Sequence, residues 1–148
     1  MTRSERMRPV RKIADDKAEA AAKAYAALQQ RLQEQQARLQ QLEEFRAQYQ
    51  EQRIRSGAAG IDGFRLRDYN AFVGRIDAAI RQQQHEVEQL SAAVEQKRQQ
   101  WLALLSKAKA IDKVLQRYAE AERQEVQRRE QQQNDAMALR RRHKLPDD

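Results

Sequence analysis

The chain has 148 residues, 34% of them charged and only 5% aromatic, so little apolar surface is available for the core of a compact enzyme. It contains no cysteine, no long apolar run and no hydrophobic segment after its basic start, which argues against disulfides, a membrane span and a secretory signal. The formal net charge of +7 is compatible with nucleic acid, an acidic membrane or an acidic protein surface as partner.

The first predicted element is a helix over about 8–55. Pro9 is expected in the first helical turn, where its missing N–H costs nothing, so the helix is expected to begin near Arg8. Further along, mostly apolar residues recur at alternating spacings of four and three, the heptad pattern of a coiled coil. Ala14 and Ala18 extend this seam upstream with small side chains. The seam positions are Ala21, Tyr25, Leu28, Leu32, Gln35, Leu39, Leu42, Arg46 and Tyr49.

A glycine-rich stretch interrupts the helical pattern over about 56–67. Three of the four glycines, Gly57, Gly60 and Gly63, lie there. Glycine reaches positive backbone angles without steric cost, so this stretch is expected to reverse the chain between two helices.

The second predicted helix covers about 68–142, with Asp68 as its N-cap. Its heptad seam is longer than the first, and only Gln83 and Lys97 are polar in it. A strict seven-residue repeat of this length predicts a left-handed coiled coil. The seam positions are Tyr69, Val73, Ile76, Ile80, Gln83, Val87, Leu90, Val94, Lys97, Trp101, Leu104, Ala108, Ile111, Leu115 and Tyr118.

The second helix is expected to outlast the first. Folding the chain about residue 62 places Tyr118 opposite residue 6, and the seam disappears at the same point. The segment from about Ala119 to Arg142 is therefore expected to project beyond its partner. The predicted fold class is all-α: one domain over 1–148, a long antiparallel two-helix coiled-coil hairpin with an overhanging C-terminal helix.

Neither a catalytic nor a cofactor site is predicted. His85 and His143 lack the nearby thiolates or carboxylates of a metal site. The glycines do not follow a strand and are not followed by Gly-Lys-Ser/Thr, so they do not form a phosphate loop. The expected catalytic, metal-binding and cofactor-binding residues are therefore none, and no cofactor is expected.

One flank of the predicted seam is apolar near the glycine turn. Phe45 and Phe72 occupy g positions of the heptads, whereas the e positions there are polar. In an antiparallel pair g faces g, so both rings fall on the same side of the hairpin. They either shield the seam from water or anchor a docked partner.

This flank is the most specific part of a resemblance that covers essentially the whole chain. The sequence resembles the FliJ family, the soluble stalk proteins of the bacterial flagellar type III export apparatus. In that family a stripe reads Gln, Leu, Tyr, Tyr on the first helix and Phe, Leu, Ala, His on the second. The first and last positions here, Arg38 and Gln83, depart from that pattern. The corresponding residues are Arg38, Leu42, Phe45, Tyr49, Phe72, Ile76, Ala79 and Gln83.

The resemblance implies a non-enzymatic stalk that promotes assembly of a hexameric export ATPase ring and couples the ring to the membrane export gate. The stripe would dock on the large gate protein, and the helix termini would enter the ring. Export chaperones are a further implied class of partner. The implied location is cytoplasmic, at the inner membrane only through the gate. The implied ring-contact residues are Arg3, Arg6, Arg8, Arg11, Lys12, Arg140, Arg141 and Arg142.

Two other functions remain open from the sequence. A basic coiled-coil adaptor or nucleic-acid-binding arm would use the arginines around the turn, with Phe64 and Tyr69 available for base stacking. Asp62, Asp68 and Asp77 interleave with those arginines and weaken this interpretation. Membrane-surface binding by residues 140–144 lacks an apolar face beside the charges. The turn arginines are Arg53, Arg55, Arg65, Arg67 and Arg75.

Overall fold

A computed structural model describes residues 1–57, 60 and 63–144 of the chain. These residues form two helices, α1 (Arg3–Gly57) and α2 (Gly63–Lys144), and include no strand. The two helices pack together as a hairpin, which confirms the predicted all-α fold class. The prediction of a single domain over 1–148 stays a prediction.

Helix α1 begins at Arg3, five residues before the predicted start near Arg8. Thr2 and Glu5 form a reciprocal capping box: the Thr2 amide donates to Glu5 Oε2 at 3.1 Å, and the Glu5 amide donates to Thr2 Oγ1 at 3.2 Å. Pro9 consequently lies inside α1, and placing it in the first turn was wrong. The capping box satisfies amides that would otherwise lack partners, which favours the earlier start.

Helix α2 begins at Gly63, also earlier than predicted. Asp68 lies within the helix, so its assignment as the N-cap was wrong. The predicted turn over 56–67 is correspondingly too long, because Ser56 and Gly57 belong to α1 and residues 63–67 belong to α2. Gly60 has a φ of 87°, the left-handed conformation that glycine adopts most easily. Positions 58, 59, 61 and 62 of the predicted turn lie outside the described residues.

Contacts divide the chain into two units, and the first contains Ala20–Trp101. Its core follows the predicted seam, since Ile76 and Ile80 are buried. Tyr25 and Trp101 stack with centroids 5.6 Å apart, consistent with a packing role for the tryptophan. In the middle of the seam, the Gln83 side-chain amide donates to the backbone oxygen and to Oε1 of Gln35, both at 2.9 Å. This pair satisfies two polar seam positions at once.

The second unit contains Met1–Glu19 and Leu102–Asp148. Its core is built from small residues: Ala14, Ala18 and Ala108 are each less than 10% exposed and pack with Leu104 and Ile111. The predicted upstream continuation of the seam is therefore the buried layer of this unit. Arg11 crosses between the helices here, with Nε 3.1 Å from Asp112 Oδ1.

Enlarging one of these alanines should disturb the alanine layer. Ala108 is 5% exposed, so Ala108→Leu forces side chains apart, and we expect it to lower the free energy of unfolding by about 1 to 3 kcal/mol. Ala110→Leu is the matched control, because Ala110 is exposed on the same helix and its change should stay within about 0.5 kcal/mol. Urea unfolding followed by circular dichroism measures both. Equal effects would contradict close packing at Ala108.

The pairing of the helices extends to Glu122, beyond the predicted end at Tyr118. The Ser4 amide donates to Glu122 Oε1 at 3.0 Å, and Ser4 Oγ donates to Oε2 at 2.5 Å. Ser4 is only 4% exposed. The predicted overhang from Ala119 was therefore placed too early, because the earlier start of α1 adds residues opposite α2. Every residue from Val126 to Lys144 is exposed.

The Ser4–Glu122 contact should make stability depend on acid. Hydrogen bonds from the Ser4 side chain and backbone lower the pKa of Glu122 from its ordinary value of 4.5. Because the folded-state pKa is lowered, the stabilisation is fully present above the ordinary value and is lost as pH falls through the folded value. We expect Glu122→Gln to melt at a lower temperature than the parent at neutral pH and the difference to shrink below about pH 4. Thermal melts across this range test it, and a difference that grows on acidification would contradict it.

Candidate functional site

Four aromatic rings form a continuous cluster near the end of the hairpin at the glycine turn. Phe45 meets Phe72 edge-on at 6.1 Å between centroids, and Phe72 lies 4.4 Å from Tyr49. Tyr49 stacks on Tyr69 at 5.3 Å with ring planes 8° apart. Such geometries are favourable for aromatic pairs beyond the area they bury. We refer to Phe45, Tyr49, Tyr69 and Phe72 as the aromatic cluster.

The rings of the cluster differ in exposure. Phe45 is 49% exposed, whereas Tyr49, Tyr69 and Phe72 are half-buried. Phe72 contacts both Phe45 and Tyr49, so it joins the two helices. The two interpretations of Phe45 and Phe72 therefore apply to different rings. Phe72 packs over the seam, and Phe45 leaves about half of its surface available to a partner.

A salt bridge lies beside the cluster. Arg46 Nε is 2.5 Å from Asp77 Oδ1, and the second guanidinium nitrogen is 3.4 Å from Oδ2. The hydrogen bond from Arg46 lowers the pKa of Asp77 below its usual value, and the same bond raises the pKa of Arg46. This salt bridge explains why an arginine is tolerated at a seam position: the Arg46 guanidinium reaches the Asp77 carboxylate, which lies beside the seam on α2.

The remaining stripe residues do not share one environment. Ile76 is 7% exposed and belongs to the core, so it supports the stripe from beneath. Leu42 is half-buried, while Ala79 is exposed. Gln83 is held by Gln35. Only some of the eight stripe residues are therefore accessible to a partner.

Arg38 is exposed and lines an open cleft between the helices. The cleft is polar, since two arginines and Glu86 contribute to it. It lies at the end of the stripe where this chain departs from the family pattern. Its lining residues are Arg31, Gln35, Arg38, Glu86, Gln89, Leu90 and Ala93.

Sequence reasoning missed two contacts that shape the site. Arg53 places its guanidinium 4.6 Å from the centre of the Tyr69 ring, which extends the aromatic cluster towards the turn. Tyr69 is a seam position, and Arg53 falls on the next seam position after Tyr49. The heptad spacing could therefore have predicted this contact. The Arg46–Asp77 pair could have been predicted in the same way, because Arg46 is a seam position of α1 and Asp77 lies beside the seam on α2.

Several of the basic residues that were predicted to contact the ATPase ring already contact other side chains of this chain. Arg3 lies over the Tyr118 ring at 5.7 Å, and Arg11 bridges to Asp15 at 3.5 Å as well as to Asp112. Lys12 pairs with Asp16 at 3.6 Å. The others are exposed: Arg6, Arg8, Arg140, Arg141 and Arg142.

The described residues contain no group of three or more histidine, cysteine, aspartate or glutamate side chains arranged to hold a metal ion. Within the same ranges neither helix has a stretch apolar enough to cross a membrane.

Comparison with known proteins gives one match. A family model described as flagellar FliJ protein matches residues 3–144, nearly the whole chain. No curated protein and no solved structure matches significantly. The matched range includes both helices, the glycine turn and the aromatic cluster. The chain therefore belongs to the flagellar FliJ protein family, whose members are non-enzymatic components of the flagellar export apparatus.

Proposed function

We propose that this chain is the central stalk of the flagellar export apparatus. The free end of α2 docks inside a hexameric export ATPase ring and promotes its assembly. The other end of the hairpin docks on the large export-gate protein and so couples the ring to the gate. The chain acts at the cytoplasmic face of the inner membrane without hydrolysing anything itself.

The observation that carries this proposal is the free segment of α2. Residues 126–144 are helical and each of them is exposed, although Val126 and Gln127 line a cleft with the start of α1. A helix of this length spans roughly 28 Å at about 1.5 Å per residue. An isolated polar helix is marginally stable in water, so a surrounding protein surface is the environment in which it gains stability.

The charge of the free segment suits a ring with acidic inner surfaces. It carries six arginines and lysines against two carboxylates. The last turn of α2 is wholly basic, which is also favourable at the negative end of the helix dipole. Arg140, Arg141 and Arg142 remain the proposed ring contacts on this helix, and the N-terminal cations lie on the paired part of the same unit.

The aromatic cluster supports the gate-docking part of the proposal. Interface anchors are typically aromatic residues held by neighbours so that little flexibility is lost on binding. Phe45 fits this description because its ring packs against the Phe72 ring while about half of its own surface stays exposed. Arg38, Leu42 and Ala79 extend the proposed contact along the same stripe. Export chaperones are proposed as further partners of the exposed helical surface.

Two measurements test the proposal as a whole. The full chain should increase hexamer formation and ATP hydrolysis by the cognate export ATPase, and it should co-elute with the soluble domain of the gate protein. Gel shifts with generic DNA and RNA provide the comparison with the nucleic-acid alternative. Strong, salt-sensitive nucleic-acid binding without effect on the ATPase would reject the stalk in favour of that alternative.

A further inference from the structure

Exposed apolar side chains and arginines are concentrated where α1 ends and α2 begins. Phe64 is 75% exposed, Ile54 is 65% exposed and Leu66 is 37% exposed. They lie in residues 53–57 and 63–67, which we call the turn surface. Large exposed apolar residues grouped at one end of a helix pair are candidates for an interaction site. Neither the aromatic cluster nor the free segment of α2 includes them.

The turn surface is also cationic. Its described residues include four arginines and no carboxylate, and the first turn of α2 has no acidic residue to offset the positive end of the helix dipole. Three carboxylates, Glu51, Asp62 and Asp68, flank these residues in the sequence, so the excess of positive charge over residues 51–68 is one. Glu51 is paired with Arg55 at 2.7 Å. The four are Arg53, Arg55, Arg65 and Arg67.

The positions of the apolar residues restrict what can cover them. Phe64 and Leu66 are two residues apart, which places them about 200° apart around α2. Ile54 belongs to the other helix. A partner helix lying along one side of the hairpin would reach only part of this set. A broad surface that meets the end of the hairpin would reach all three together.

The rings near the turn are already engaged, which disfavours single-stranded nucleic acid. Binding of bases requires free aromatic faces. Tyr69 has Tyr49 stacked on it and the Arg53 guanidinium over its ring, and Phe72 contacts Tyr49 and Phe45. Phe64 is the one exposed ring of the turn surface, and its apolar neighbours Ile54 and Leu66 are aliphatic.

We propose that the turn surface binds an anionic lipid bilayer end-on. Phe64, Ile54 and Leu66 enter the headgroup region, and the arginines contact lipid phosphates. Aromatic and aliphatic side chains partition into this region, while arginines are attracted to the negative surface of anionic lipid. The binding is independent of the proposed gate-docking stripe and would position that stripe close to the membrane.

A single-tryptophan form of the full chain, Phe64→Trp with Trp101→Phe, tests insertion directly. Its emission should shift to shorter wavelength on vesicles of mixed phosphatidylcholine and phosphatidylglycerol, and not on phosphatidylcholine alone. The parent, whose tryptophan stacks on Tyr25 in the seam, should show no shift. Circular dichroism checks that the single-tryptophan form keeps the parent's helicity.

Co-sedimentation with the same vesicles assigns the binding to residues. Ile54→Ser with Phe64→Ser should weaken partitioning about tenfold, because removal of buried apolar area at the interface lowers membrane affinity. Both side chains are exposed, so helicity should be unchanged. Met137→Ser with Leu139→Ser is the matched control, since these residues are similarly exposed beside arginines at the other end of α2. The control should bind within about twofold of the parent.

Several results would overturn the proposal. Vesicle binding without a shift in emission at position 64 would mean that the turn surface does not insert. A loss in the control as large as in the test variant would assign binding to the free segment. Equal binding to neutral vesicles would remove the role of the arginines. A single-stranded oligonucleotide that binds the parent and is lost in Ile54→Ser with Phe64→Ser would assign the surface to nucleic acid.

Discussion

Truncation of the chain after Gln127 is expected to leave thermal unfolding nearly unchanged and to abolish stimulation of the cognate export ATPase. The described residues that it removes, 128–144, are all exposed, so the hairpin loses little buried surface and its melting temperature should change by only a few degrees. Loss of stimulation follows if the free segment is the part that enters the ring. Steady-state ATP hydrolysis and circular dichroism melts measure the two effects separately.

The position of the cut matters because of the Ser4–Glu122 contact. Truncation after Tyr118 would also remove the carboxylate that accepts both Ser4 hydrogen bonds, so it should lower the melting temperature as well as the activity. A triple variant, Arg140→Gln with Arg141→Gln and Arg142→Gln, removes three positive charges but keeps the length of α2. It therefore separates the effect of charge on ATPase stimulation from the effect of helix length. Full stimulation by the chain truncated after Gln127 would show that the free segment does not act in the ring.

Phe45→Ala is expected to weaken binding to the soluble domain of the export-gate protein at least tenfold, because truncating a central interface aromatic typically costs about 2 kcal/mol or more. Its effect on folding should be small, since the ring is 49% exposed. Phe72→Ala should differ, because Phe72 packs against both Phe45 and Tyr49, and it should lower stability as well as binding. Isothermal titration calorimetry and thermal melts distinguish the two.

Leu102→Ala is a suitable control for this comparison. Leu102 is 39% exposed and lies outside the unit that holds the aromatic cluster, so its truncation should leave gate binding unchanged. If Phe45→Ala unfolded the chain while the residual folded fraction bound normally, Phe45 would be part of the core. The docking surface would then lie elsewhere on the hairpin.

Much of the candidate site was predictable because coiled-coil register follows from local spacing. The g positions of Phe45 and Phe72 are set by the heptad count on each helix, and their edge-on contact at 6.1 Å agrees with that count. The count does not predict how far each ring is covered. Burial depends on neighbours from the other helix, so the contrast between half-exposed Phe45 and core residue Ile76 required the tertiary structure.

The sequence by itself determined that this chain is a pair of helices, because a seven-residue apolar repeat and a cluster of glycines act through local geometry alone. It also contained the Thr-x-x-Glu capping signal that begins α1 at Arg3. Only the tertiary structure decided where pairing ends, since Ser4 and Glu122 are 118 residues apart. Their hydrogen bonds depend on how the two helices are aligned, as does the Arg46–Asp77 pair. Such contacts arise from the relative position of two helices, which no window of sequence along one helix contains.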